Sequence, residues 1–117
     1  MATFTKKILS GSTDGKAVKV VQTATAGTTI HTGSATATTH DEVWLYAVNS
    51  SASSVKLTIE WGEATAPDGN IELSVAAESG LVLVTAGLLL QNSLVVKAFA
   101  GTTNVILLHG YVNRITA

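Results

Sequence analysis

At 117 residues the chain is long enough for one domain with one modest core. Charged residues make up 13% against 46% hydrophobic, net charge is −1 and the sequence pI is about 6.2. No basic patch is visible and cysteine is absent, so direct nucleic-acid binding, disulfides and thiolate metal sites are excluded as expectations.

The charged share is about half of the usual ~25%. Either serine and threonine supply the surface polarity, or part of the surface is covered in an assembly. The opening residues MATFTKK carry no apolar leader core. The apolar run from Gly80 to Leu90 is broken by Thr85 and Gly87 and is too short for a span. A soluble chain beginning at Met1, with no membrane partner, is expected.

Helical periodicity is nearly absent, and turn signals recur at short spacing. Phe4 to Ser10 reads as a first strand, and Asp14-Gly15 as a turn that needs positive φ. Val18 to Ala24 is the next strand. Thr28 to Thr32 follows the break at Ala26-Gly27, with Ile30 inward. Gly33 to His40 is small and polar and reads as a loop.

The stretch from Asp41 to Gly62 is the centre of the chain. DEVWLYAVN is apolar on both faces, with Trp44, Tyr46 and Val48 on one and Val43, Leu45 and Ala47 on the other. In VKLTIEWG, Val55, Leu57, Ile59 and Trp61 alternate with Ser54, Lys56, Thr58 and Glu60, which predicts a half-buried strand with a wet outer face. The short link SSASS predicts that the two runs form an antiparallel hairpin.

Pro67-Asp68-Gly69 is a turn, and Asn70 to Ala77 alternates again, with Ile71, Leu73 and Val75 inward. Leu81 to Val84 is a short strand, and Gly87 to Leu90 is read as a turn. Leu94 to Ala100 and Asn104 to Ile115 are the last strands, and Gly110 marks a bulge or a close contact. The expected fold is all-β: one antiparallel β-sandwich over residues 1–117, with about eight to ten strands in jelly-roll or related Greek-key order. Its expected core is Trp44, Leu45, Leu57, Ile59, Trp61, Leu73, Val75, Val96, Ile106 and Leu108.

The side chains that could carry chemistry are few. His31, His40 and His109 are too far apart for zinc spacing, and surface or strand-end positions are the simpler reading. His40-Asp41-Glu42 resembles an acid–base cluster, but a charged strand entry after a polar loop is the plainer reading. Glu60 and Glu63 flank Trp61-Gly62 as in sugar sites, yet alternation sends Glu60 outward and Trp61 inward. Lys6, Lys7, Lys16 and Lys19 form a thin basic side, read as solvated. Arg114 reads as a surface ion-pair partner or interface residue. No P-loop, nucleophile elbow or dinucleotide fingerprint occurs. No catalytic, cofactor-binding or metal residue is assigned, and no enzyme activity or cofactor is expected.

Read together, LSGSTDGK (9–16), TATAGTTIHT (23–32), DEVWLYAVN (41–49), LTIEWG (57–62) and HGYVNRI (109–115) resemble small virion proteins of tailed bacteriophages. The resemblance implies a β-rich, non-enzymatic virion subunit, of the decoration type that binds the outer capsid. Its partners would be the major capsid protein or another virion protein, and further copies of itself. The two-sided strands at Val43–Val48 and Val105–Leu108 also predict a homo-oligomer, for which the resemblance implies a trimer. The competing class is a carbohydrate-binding or adhesion module, which needs exposed aromatic residues on one face.

Overall fold

Period-two alternation becomes strand almost everywhere. In the computed structural model, which describes residues 2–116, nine strands and no helix occur among the described residues. They are β1 Thr3–Ile8, β2 Val18–Lys19, β3 Thr28–Thr32, β4 Thr39–Asn49, β5 Val55–Trp61, β6 Asn70–Val75, β7 Val82–Leu90, β8 Val95–Ala100 and β9 Ile106–Thr116. One sheet has the order β1-β9-β4-β7, with β2 sharing the β1 edge of β9. The other has the order β3-β8-β5-β6. Every pairing is antiparallel. After β2 the chain changes sheet at every connection except β5–β6, which is jelly-roll order.

Between the sheets, Val43, Leu45 and Ala47 of β4 and Ile106, Leu108 and Val112 of β9 face Leu57 and Ile59 of β5 and Val96 and Ala98 of β8. All are essentially fully buried, and each large aliphatic chain contributes roughly 1.5–3 kcal/mol by leaving water. Gly110 sits opposite Leu45, where a Cβ would lie 2.0 Å from the Trp44 carbonyl oxygen. The β4–β9 register is unbroken there, so Gly110 is a close contact and not a bulge.

The structure corrects several expectations. The runs on either side of SSASS form no hairpin: β4 pairs with β7 and β9, whereas β5 pairs with β6 and β8. The link crosses between sheets. Buried Asn49 organises it, donating from Nδ2 to the carbonyls of Ser53 and Val75 and accepting on Oδ1 from Ser51. Gly87 to Leu90 is no turn either. β7 continues through it, and the ladder to β4 shifts between Val43 and Trp44 and again between Leu45 and Tyr46. Gly87 takes φ +77° at the first shift, so its positive φ serves a bulge.

The Val18–Ala24 run pairs only at Val18 and Lys19. Trp44 is only partly buried and lies on the outer side of its sheet, and Trp61 and Leu73 are partly buried against the core.

Candidate functional site

The deepest polar group joins three strands. β3 carries a register shift between Thr29 and His31, which breaks alternation and turns Ile30 and His31 inward in succession. His31 is therefore buried, not at the surface. Its Nε2–H donates to Asp41 Oδ2 at 2.7 Å. Its Nδ1 accepts from the Ser10 backbone N–H at 3.0 Å, and this acceptor role places the proton on Nε2. Arg114, the register partner of Asp41, donates from Nε to Oδ1 at 2.7 Å and from Nη2 to Oδ2 at 2.9 Å.

Asp41 has no solvent exposure. Burial pushes its carboxyl up from the ordinary value of 3.8, but hydrogen bonds from Arg114 and His31 outweigh this and hold it lower. General-base work needs a ring nitrogen with a free lone pair, and His31 has none. The arrangement instead clamps one sheet to the other. Arg114 is thus paired inward, and Asp41 is separated from its neighbours His40 and Glu42, which lie on the opposite side of β4.

Glu60 does point away from Trp61, as alternation requires, but that side of β5 is not wet. The segment 22–27 folds over it, with the Ala100 N–H bonded to the Gln22 carbonyl. Glu60 is 1% exposed. Its Oε2 accepts from Thr25 Oγ1 at 2.5 Å and its Oε1 from the Gly27 N–H at 2.7 Å. Thr58 is buried on the same side.

Among the described residues, no segment covers the outer face of the five-stranded sheet in this way. Register places Phe4, Lys6 and Ile8 of β1, Tyr111 and Asn113 of β9, Glu42, Trp44 and Tyr46 of β4, and Leu83 and Leu89 of β7 on it. Phe4 is 70% exposed, and Ile8, Leu83 and Leu89 are each exposed by half or more. The Trp44 and Tyr111 rings lie 6.1 Å apart and 7° from parallel, and Lys6 Nζ stands 5.2 Å from the Tyr111 ring centre. Trp44 Nε1 and Asn113 Nδ2 both donate to Glu42 Oε1, and these bonds hold the Glu42 carboxyl below its ordinary value.

At the end of the sandwich near β7, Trp61 and Glu63 meet His40, Leu89, Leu90, Gln91 and Leu94 around a cavity of about 380 Å³. Glu63 therefore does reach the Trp61 side, and Glu60 does not. Lys7, Lys16 and Lys19 are exposed. No group of three potential metal ligands occurs among the described residues. Sequence reasoning passed over the buried role of His31, and a β-bulge leaves no signal in a five-residue run.

Comparison with known proteins finds no matching family model, curated protein or solved structure.

Proposed function

We propose that this protein is a non-enzymatic structural subunit of a tailed-bacteriophage virion, of the capsid-decoration type. It works by burying the outer face of its β1-β9-β4-β7 sheet against further copies of itself and against the major capsid protein. The observation that carries this reading is the open face itself. Phe4 and Ile8 at one edge and Leu83 and Leu89 at the other are each at least half exposed on this one face, with Trp44, Tyr46 and Tyr111 between them, and large apolar side chains gathered on one open face mark interaction surfaces. The phage resemblance supplies the type of assembly and the three-fold state, and the low charged fraction agrees with a surface made for burial.

Particles purified from a lysate of a phage encoding this chain test the proposal. The protein should copurify with heads, in a copy number that is a multiple of the capsid lattice, and lie on the outer shell. Heads without it, or a location confined to the tail, would overturn the decoration role.

A further inference from the structure

We infer that the cleft beside Trp61 is a binding site for a neutral saccharide about two rings long, a role beyond the assembly function proposed above and independent of it. Two cavities, of about 380 Å³ and about 240 Å³, lie side by side and share Gly62, Glu63 and Leu94 as walls. The larger is within the roughly 300–1,000 Å³ range of small-ligand sites.

Gly62 separates them only as backbone. Its φ is +76°, and a Cβ there would sit 3.5 Å from Leu94 Cδ1 and 3.6 Å from Leu90 Cδ1, two side chains that line the larger cavity. Glycine thus provides the sharp exit from β5 and keeps the floor of the cleft clear.

The chemistry of the walls selects the ligand. Trp61, Leu90 and Leu94 supply an apolar floor with one large ring, suited to the C–H face of a pyranose. The side chains of Trp61, His40 and Glu63 make no hydrogen bond among the described residues, so their polar atoms are available. Gln91 also lines the larger cavity.

Charge argues against ionic ligands. Lys97 is the one cationic residue lining the two cavities and shares the smaller one with Glu63, while Glu60 is already occupied by Thr25 and Gly27. A phosphate or carboxylate ligand would need several cationic donors. The outer-face aromatics compete poorly for the same ligand. Trp44 is ring-paired with Tyr111, and its N–H is spent on Glu42.

The chain has two tryptophans, so Trp44→Phe leaves Trp61 as the sole indole reporter. That variant should be titrated with lactose, maltose, cellobiose and N,N′-diacetylchitobiose, with sialyllactose as the charged comparison. At least one neutral disaccharide should give a saturable change in tryptophan emission. In the wild-type background, amide NMR shifts with that sugar should centre on residues 61–63 and 90–94. Trp61→Ala should abolish those shifts, and Trp61→Phe, which keeps a ring and guards against misfolding, should retain them. Absence of any saturable response, shifts centred on Trp44 and Tyr111, or preference for sialyllactose would overturn the inference.

Discussion

Asp41 and Arg114 face each other across the β4–β9 ladder and share two hydrogen bonds of 2.7 and 2.9 Å on the inner side of the sheet. The Asp41 side chain is fully buried, whereas the Arg114 side chain is 29% exposed. The pair therefore has a dry end and a wet end. Removing the cation leaves a buried charge with only His31 to compensate it. Arg114→Ala should cost about 3–5 kcal/mol in urea unfolding, as for broken buried pairs. Arg114→Lys keeps the charge but loses the two-pronged fork, so it should fall between Ala and wild type. A loss below about half a kilocalorie for Arg114→Ala would show that the pair contributes nothing to the fold.

The same pair sets an acid dependence. The Asp41 carboxyl titrates below its ordinary 3.8 in the folded chain. The unfolded state then binds the proton more readily, so stability rises with pH in this range. The contribution is complete above the unfolded value and is lost as pH falls from there through the depressed folded value. Glu42 adds in the same direction from a partly exposed position. Urea midpoints measured across this acid range should drop for wild type and drop less steeply for Asp41→Asn.

Ile59 is fully buried in the middle of β5, between Ile71 of β6 and Ala98 of β8 in register. Ile59→Ala should destabilise by roughly 2–5 kcal/mol, through lost transfer free energy and the cavity left behind. A cost under half a kilocalorie would mean that the register of β5 is displaced by one residue.

Glu60 holds the segment 22–27 onto the second sheet through Thr25 and Gly27. Glu60→Ala should accelerate hydrogen exchange at the Gly27 amide while core strands stay protected. Glu60→Gln retains an acceptor for that amide and should restore most of the protection. Equal exchange in all three proteins would show that the segment is held by other contacts.

Wild-type protein in dilute solution should scatter light as a homo-oligomer, with three chains the expected mass. Leu83→Glu together with Phe4→Glu places two charges on the open face. Both positions are at least half exposed, so the monomer fold should change by no more than about half a kilocalorie per site. The double variant should shift to the mass of one chain. A wild-type mass of one chain at every concentration would remove self-association.

By itself the sequence determined the class of fold, because period-two alternation and frequent turn residues leave a two-layer antiparallel structure as the way to bury one face of each strand. Thr28–Thr32 was legible to the residue, the inward set of β5 followed from parity, and Ile106 and Leu108 of β9 were expected in the core. Tertiary structure alone decided three things. The first is the path after Asn49. Five residues, Ser50–Ser54, can extend about 16–18 Å, more than the roughly 10 Å between packed sheets, so the same link serves a hairpin or a crossover.

The second is which side of β4 is inside. Both sides are apolar, and the space between the sheets took the compact Val43, Leu45 and Ala47 and left the rings of Trp44 and Tyr46 outward. The third is the environment of the polar side chains. Glu60 is covered by a segment more than thirty residues earlier in the chain, and His31 reaches Asp41 only because a bulge shifts its strand. Parity assigns a side chain to a face, but what covers that face depends on contacts distant in sequence.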